Sequence, residues 1–485
     1  MSEKKYIPTI GLEIHAELNT KSKMFCGCKN DPDETRPNVN VCPICMGHPG
    51  TLPVVNKEAV RSIVKIGVAL GAKIADFTEF DRKNYFYPDI PKGYQISQYK
   101  YPLVANGVLN GVEITRVHLE EDTARSSHDK GDFSLVDFNR SSVPLMELVT
   151  EPVIHSAEQA TDFAKELQLL LRYLGVAEAN MEKGEMRVEA NISVSDDPNK
   201  FGTKVEVKNL NSFKVVEKSI AYEIDRHIAV LESGGKVVQE TRGWDENKGA
   251  TYSQRKKEDS HDYRYFPDPD IPKFKLSEIA DLSVDVIRKV LPELPWEKRE
   301  RYITKLGLKK EDAEFFVSNK PLADFFEGVI TGFIGDISKI KLAANYIVSD
   351  LAGLMKKSAP KTDELSFEEE SGLLKIPTGD FSELVLMISA GDVSSRGAKD
   401  ILKTMYERGG KPKKIAERDG LIQKSDIGEI TRLAEKILTD NPSVVSDYKA
   451  GKASALMFLV GQGMKASKGS ANPAMLKDIF SKLLQ

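Results

Sequence analysis

Two stretches of the sequence alternate strictly between apolar and polar residues, and this pattern constrains the fold more than any other feature. The apolar positions are Ile10, Leu12, Ile14, Ala16 and Leu18 in the first stretch and Met186, Val188, Ala190, Ile192 and Val194 in the second. A period of two is typical of β-strands that bury one face and expose the other. We therefore predict a sheet with one apolar and one polar face.

Two helices are predicted between these strands. One begins at Ser156, with Gln159 three residues later as a capping box, and ends before Gly175. The other begins near Ser212 and ends at Gly234–Gly235. Apolar residues recur at helical spacing in both. Strands with helices set against them indicate an α+β domain built on a mixed sheet.

Beyond the proline-rich segment Pro267–Lys273 the pattern becomes helical. Acidic residues between 363 and 370 predict a loop or a solvated helix start, and Gly409–Lys414 (GGKPKK) predicts a linker. We expect three domains: an α+β catalytic domain at residues 1–292, an all-α helical domain at 293–410 and a small α-helical tail domain at 411–485.

Charge is unevenly distributed along the 485 residues. The net charge of −4 excludes a uniformly basic surface, but the chain from Lys411 onward carries 13 Lys/Arg against 8 Asp/Glu. This basic tail indicates either a polyanion contact or a solvated helical surface. No run of 18 apolar residues and no apolar leader segment is found. We expect a cytoplasmic protein without a membrane partner.

All four cysteines lie within twenty residues. The pattern at Cys26, Cys28, Cys42 and Cys45 is two close pairs separated by a loop. Two such pairs are what a tetrahedral thiolate zinc site needs, whereas a disulfide framework is unusual in a cytosolic chain and four unrelated buried thiols would not cluster. We predict a structural Zn²⁺ held by these four residues, with no open position for chemistry.

Carboxylates and one histidine mark the strands. Glu13 and His15 lie two apart and share a strand face. Glu147 lies within the apolar stretch LMELV, where an unpaired carboxylate is costly. The segment HLEED adds Glu120 and Glu121, and periodicity does not tell which of the two points inward. These residues indicate either an Mg²⁺ site, since Mg²⁺ prefers oxygen ligands, or a polar solvent face.

Basic and aromatic residues are interleaved from Phe80 to Tyr99, and Lys83 lies among them. Such a segment can hold a nucleotide or an RNA end, or it can be an ordinary packed loop. The sequence contains no phosphate-binding P-loop motif and no G-x-S-x-G nucleophile elbow. A nucleotide would therefore have to be bound by another arrangement.

Several long motifs resemble the B subunits of the aspartyl/glutamyl-tRNA amidotransferases. They run in order over nearly the whole chain: GLEIHAEL, CPICMGHPGTLPVVN, DRKNYFYPDIPKGYQISQ, HLEEDTA, VPLMELVTEP, GTKVEVKNLNSF, QETRGWDE, DYRYFPDPDIP and GQGMKASKGSANP. Two departures stand out. Arg140-Ser141-Ser142 replaces an expected Arg-x-Gly, and DTARSSH replaces a form nearer DAGKxxH.

The resemblance implies a cradle-like catalytic domain that uses ATP and Mg²⁺ to phosphorylate the side-chain carboxylate of Glu-tRNA(Gln) or Asp-tRNA(Asn). Ammonia from a glutaminase A subunit then gives the amide, and a small C subunit completes the complex. The reaction is that of an ATP-dependent carbon–nitrogen ligase with glutamine as nitrogen donor. The alternatives are a non-catalytic tRNA-binding scaffold subunit and a free-standing synthetase.

By position, the resemblance assigns Mg²⁺ to Glu13, His15, Glu121 and Glu147. It places Lys83 near the active site and the ammonia path, where the residue contacts phosphate or gates the path. The four cysteines match the zinc motif, and the tail resembles a tRNA-contacting helical domain.

Overall fold

The computed structural model describes residues 6–127, 131–256, 263–358, 374–423, 427–452, 454–467, 471 and 473–484. The chain divides into an N-terminal unit, Met1–Pro295, and a C-terminal unit, Trp296–Gln485. The first is built on a mixed sheet and the second is helical, which confirms the predicted α+β class. The predicted acidic loop near residues 363–370 lies outside the described residues.

Strands dominate the N-terminal unit. They are β1 (Ile7–Glu17), β2 (Lys73–Ile74), β3 (Phe77–Thr78), β4 (Asp81–Asn84), β5 (Tyr94–Ser97), β6 (Val104–Leu109), β7 (Val112–Glu121), β8 (Arg125–Ser127), β9 (Leu135–Asp137), β10 (Pro144–Thr150), β11 (Met186–Ser195), β12 (Val205–Leu210), β13 (Glu240–Asp245), β14 (Ala250–Lys256), β15 (Phe266–Pro267) and β16 (Phe274–Lys275). Twelve of these form one sheet in the order β14-β13-β12-β11-β1-β10-β7-β5-β4-β15, with β6 also on β7 and β2 on β6.

The long strand β1 is central to this sheet. It pairs antiparallel with β10 on one side and with β11 on the other. Leu12 and Ile14 point to the buried face, and Glu13 and His15 therefore point to the opposite face. The predicted alternation is thus realised as one apolar and one polar face.

Among the described residues of the N-terminal unit there are four α-helices. Three of them cover the apolar face, α1 (Lys57–Ala69), α2 (Ala157–Tyr173) and α3 (Phe213–Glu232), and the short α4 (Val284–Lys289) follows. Both predicted helix starts are confirmed. The Ser156 hydroxyl accepts the Gln159 N–H, and the Ser212 hydroxyl accepts the Val215 N–H. The predicted stops are confirmed as well, because Gly175 and Gly234 adopt positive φ just after the helices.

The C-terminal unit consists of helices. They are α5 (Pro295–Thr304), α6 (Lys310–Ser318), α7 (Lys320–Ile330), α8 (Ile337–Asn345), α9 (Ala352–Ser358), α10 (Thr378–Ala390), α11 (Ser395–Arg408), α12 (Pro412–Arg418), α13 (Ile427–Asp440), α14 (Pro442–Lys449), α15 (Ser454–Ala466) and α16 (Pro473–Leu483). A π-helical segment, Tyr346–Leu351, joins α8 to α9. Among the described residues, no helix has the length and apolar character needed to cross a membrane.

The segment Gly409–Lys414 differs from the predicted linker. Its two glycines adopt positive φ and end α11, but Pro412 begins α12, whose Ile415 is buried. Proline is favoured at the first turn of a helix, so the same letters suit a helix start. A separate apolar core forms further along, from residues between Ile430 and Leu484. The division of the helical region at residue 410 stays a prediction.

Candidate functional site

Strand register collects charged residues on the polar face of the sheet. His15 of β1 lies opposite Glu147 of β10 and Arg187 of β11, and Glu147 lies opposite His118 of β7. Glu13 lies one step along the same face of β1. Residues directly opposite on paired strands have Cβ atoms about 5 Å apart, so their side chains meet. Four neighbouring strands thus build one cluster.

The distances in this cluster are short. His15 Nε2 lies 3.4 Å from Glu120 Oε1, 3.5 Å from Glu147 Oε2 and 3.9 Å from Glu13 Oε1. Two groups of three residues have ligand atoms within 4.8 Å of one another, and Glu147 belongs to both: Glu13, His15 and Glu147, and His118, Glu120 and Glu147. The structure therefore brings together three of the four residues predicted for the magnesium site.

Glu121 is the exception, and Glu120 takes its expected place. The Glu121 carboxylate forms an ion pair with Lys92 and accepts the Ile96 N–H at 3.0 Å. Consecutive residues of a strand point to opposite faces, so only one of the two glutamates can join His15. Pairing of β7 with β10 sets Glu120 on that face. The structure thus places Glu120, and not Glu121, beside His15, and the metal role of Glu121 stays a prediction.

Charges in the cluster compensate one another. Burial alone would raise the pKa of Glu147, but His118, His15 and Lys83 hold it well below its usual range. Burial alone would lower the pKa of His15, but Glu120 and Glu147 raise it to about 10. The neighbouring carboxylates therefore favour the protonated imidazole, and a metal ion bound to His15 Nε2 would have to displace that proton.

Two buried atoms of the cluster lack hydrogen bonds. Glu120 Oε2 and His118 Nδ1 have no hydrogen-bond partner among the described residues, although both side chains are buried. Buried polar groups are normally satisfied, so an unpaired carboxylate oxygen beside other carboxylates is an available ligand. The donor set of carboxylates with one or two imidazoles therefore fits a divalent cation.

Lys83 lies at the rim of the cluster, on β4. Burial alone would lower its pKa, but Glu120, Tyr265 and Glu147 raise it above the usual range, so the side chain is a cation. Its Nζ lies 5.1 Å from the centre of the Tyr263 ring and 6.0 Å from that of Tyr85. Aromatic rings around an ammonium limit its hydration and leave it attracted to anions.

An open cleft of about 530 Å³ runs along the polar face. Glu13, His15, Lys83 and Glu120 line it together with two cations from β11 and β12: Arg187, which is paired with Asp122 at 3.1 Å, and Lys208, which is paired with Glu189 at 2.6 Å. The cleft thus combines carboxylates and an imidazole, which could hold a divalent cation, with positive side chains, which could contact a polyphosphate.

Sequence reasoning missed His118, Arg116, Arg187 and Lys208. His118 is two residues from Glu120 on the same strand, so period-two alternation could have found it once Glu120 was placed inward. Arg116 donates to Glu147 at 3.1 Å and follows the same alternation. Arg187 and Lys208 carry no such local signal, because they reach the cleft through the pairing of β11 and β12 with β1.

The four cysteines also meet. Their sulfur atoms lie within 4.8 Å of one another, and Cys42 Sγ and Cys45 Sγ are 3.8 Å apart. Four sulfurs bound tetrahedrally at 2.3 Å from one zinc ion would be about 3.8 Å apart. The Cys42 N–H donates to Cys45 Sγ at 3.1 Å, as in a tight metal-binding turn. The cluster therefore has the donors and the spacing to hold a metal such as zinc.

Comparison with known proteins defines the class. A family model described as the GatB/GatE catalytic domain matches residues 8–280, and a second, described as the GatB domain, matches residues 324–484. The chain therefore belongs to the GatB/GatE family.

Individual relatives cover almost the whole chain. The B subunit of the aspartyl/glutamyl-tRNA(Asn/Gln) amidotransferase from Crocosphaera subtropica is 44% identical over 99% of this chain and 98% of its own length. The B subunit of the same name from Persephonella marina is 43% identical over 99% of this chain and 100% of its own length. That of Caldanaerobacter subterraneus is 44% identical over 98% of both.

Proposed function

We propose that this chain is the B subunit of a tRNA-dependent amidotransferase and that its acidic cleft phosphorylates the side-chain carboxylate of glutamate or aspartate carried by the wrong tRNA. The observation that carries the proposal is the cluster of three carboxylates and two imidazoles, three of whose residues, Glu13, His15 and Glu120, line the cleft together with Lys83. The relatives' names, B subunit of the aspartyl/glutamyl-tRNA(Asn/Gln) amidotransferase, support the first part of this proposal.

The reaction needs no protein nucleophile. A carboxylate oxygen attacks the γ-phosphorus of ATP, the bond to the β,γ-bridging oxygen breaks, and ADP leaves. Ammonia then attacks the acyl carbon, and phosphate leaves with the oxygen that came from the carboxylate. Such transfers depend on positioning and charge neutralisation. The cleft offers these two properties.

Each residue has a proposed role. Glu13, His15, Glu120 and Glu147 would hold Mg²⁺, which neutralises phosphate charge when bound. Lys83 attracts the transferred phosphoryl group. Arg116 fixes Glu147 by its hydrogen bond at 3.1 Å. Arg187 and Lys208 also line the cleft, each paired with a carboxylate, and are the candidate contacts for the remaining phosphates of ATP.

Ammonia must reach this cleft from another chain, and we propose an entry beside Glu121. A cavity of about 630 Å³ beside the cysteine-containing loop is lined by Lys92 and Tyr94. A second, smaller cavity is lined by Lys92, Glu121, Gln95 and Thr123. Gln95 and Thr123 also line the acidic cleft. Lys92 lines both cavities and forms an ion pair with Glu121, which lines the smaller one. If ammonia enters beside Glu121, the Glu121→Gln variant should still hydrolyse glutamine but should form less amide for each glutamine hydrolysed.

The remaining parts have supporting roles in the proposal. Zn²⁺ at the four cysteines fastens a loop beside the sheet. A glutaminase A subunit and a small C subunit are the partners, and the basic helical tail contacts mischarged tRNA in the cytoplasm. The separate apolar core between Ile430 and Leu484 supports treating the tail as its own module.

ATP cleavage that depends on mischarged tRNA tests the proposal. In the assembled complex, Glu147→Gln keeps the side-chain shape and removes one ligand charge, so turnover should fall on the order of a hundredfold or more. Glutaminase activity should persist. Glu113→Gln is the matched control, since Glu113 is an exposed glutamate on the neighbouring strand β7.

Two rival functions give different outcomes. A non-catalytic tRNA-binding scaffold would leave ATP cleavage unchanged in both variants. A free-standing synthetase would show amino-acid-dependent exchange of pyrophosphate into ATP, whereas the proposed reaction releases ADP and phosphate.

A further inference from the structure

Two tyrosines stack at the edge of the acidic cluster. Tyr99 follows β5 and Tyr265 precedes β15, and their ring centres are 4.3 Å apart with planes 15° from parallel. Tyr99 is 52% exposed, so much of its surface is open to a ligand. Stacked, partly exposed aromatic rings are a platform on which a nucleic-acid base can add as the next ring.

Both tyrosines are close to the groups proposed for chemistry. The guanidinium carbon of Arg116 lies 6.0 Å from the centre of the Tyr99 ring, and the same side chain donates to Glu147 at 3.1 Å. Burial, with the charges of Glu120 and Glu147, raises the pKa of Tyr265 to about 12 against the opposing effect of Lys83. One arginine therefore separates the platform from Glu147.

Exposed cations flank the platform in the sequence. Lys100 directly follows Tyr99, and Arg264 directly precedes Tyr265. Lys100 Nζ lies 5.3 Å from the centre of the neighbouring Tyr101 ring. Single-stranded RNA is bound by this combination, in which aromatic rings take the bases and cations meet the phosphates.

We propose that the Tyr99–Tyr265 pair stacks the unpaired 3′-terminal adenine of the aminoacyl-tRNA. This inference rests on the proposed function, because the amino acid whose carboxylate must reach Glu147 is esterified to the ribose of that same nucleotide. The terminal base therefore has to lie near the cluster. ATP also carries adenine, but its candidate phosphate contacts, Arg187 and Lys208, lie on strands β11 and β12. Arg116, which contacts the platform, lies on β7, and strands β1 and β10 separate β7 from β11 and β12 in the sheet.

Steady-state kinetics in the assembled complex tests the platform. Tyr99→Ala should raise the KM for mischarged tRNA about tenfold or more, since a base–aromatic stack is worth that much by alanine substitution. The KM for ATP should stay unchanged. Tyr99→Phe keeps the ring and should behave like the unmodified chain. Phe201→Ala, at an exposed aromatic residue between β11 and β12, is the matched control.

A fluorescent base gives a second, direct measurement. tRNA with 2-aminopurine as its 3′-terminal base should lose fluorescence on binding to the complex and to its Tyr99→Phe variant, but not to Tyr99→Ala. A raised KM for ATP alone would assign the platform to the nucleotide and overturn the inference, as would unchanged KM values for both substrates. Absence of any tRNA-dependent ATP cleavage in the unmodified complex would instead refute the proposed function.

Discussion

Replacing Ser142 by glycine should stabilise the N-terminal unit. Ser142 adopts a φ of +67°, in the left-handed region that favours glycine, and it stands where the related motif has Arg-x-Gly. Its side chain is fully buried, and its hydroxyl has no hydrogen-bond partner among the described residues. The backbone N–H donates to Asp122 O at 2.9 Å and the carbonyl accepts the Met24 N–H at 2.7 Å, so the backbone is held in place.

The expected magnitude follows from three contributions. A non-glycine residue in the left-handed region costs about 1 kcal/mol. A buried hydroxyl without a partner costs about 1–3 kcal/mol. Glycine opposes these gains by about 0.5–1 kcal/mol, because it increases the entropy of the unfolded chain. Ser142→Gly should therefore raise the free energy of unfolding by about 1–3 kcal/mol.

Tryptophan fluorescence isolates the relevant unit. The chain has two tryptophans, Trp244 in the N-terminal unit and Trp296 in the C-terminal unit. In a Trp296→Phe background, urea unfolding followed at Trp244 reports the N-terminal unit, and Ser142→Gly should shift the midpoint to higher urea with an unchanged slope.

Ser141→Gly is the matched control for this substitution. Ser141 is also buried, but its φ is not positive and its hydroxyl donates to Cys45 O at 3.4 Å. Glycine there should lower stability. Equal shifts in both variants, or a lower midpoint for Ser142→Gly, would refute the reasoning.

Three further predictions concern the metal sites and the tail. Freshly purified protein should contain one zinc per chain. Cys42→Ser should lose the zinc and lower the midpoint of thermal unfolding, while the turnover per folded molecule changes little. Zinc-free protein of full stability would contradict this. Glu120→Gln should abolish tRNA-dependent ATP cleavage. Glu121→Gln should retain this cleavage and should lower amidation with glutamine more than amidation with ammonium. Loss of ATP cleavage in Glu121→Gln but not in Glu120→Gln would assign the metal site to Glu121. Deleting residues 424–485, which carry nine Lys/Arg against six Asp/Glu, should raise the KM for mischarged tRNA and flatten its salt dependence, and an unchanged salt slope would exclude phosphate contacts by the tail.

Local signals explain the features that were predicted well. The helix starts at Ser156 and Ser212 depend on a side chain bonding to a backbone group three residues away, so the sequence window contains the whole interaction. The cysteine cluster and the two-faced strand β1 are local for the same reason. Pro412 shows the limit of such signals, because proline next to glycine suits both a linker and a helix start.

Long-range pairing explains the features that were not predicted. The register of β7 on β10 decides whether Glu120 or Glu121 faces His15. No local sequence pattern predicts that these two strands pair. A shift of one residue would exchange the two glutamates. Arg187 and Lys208 reach the cleft only because β11 and β12 lie beside β1. Candidate site residues on several strands can therefore be proposed from sequence, but the pairing of the strands in the sheet decides which of them come together.

The central claim is that the side-chain carboxylate is phosphorylated before ammonia attacks it. Mischarged tRNA carrying glutamate or aspartate with ¹⁸O in the side-chain carboxylate tests it directly, with mass analysis of the phosphate released during amidation by the assembled complex. One ¹⁸O atom in each phosphate is predicted, because the bond between the acyl carbon and the bridging oxygen breaks when ammonia displaces phosphate. Phosphate without ¹⁸O, formed at the rate of amidation, would contradict the account.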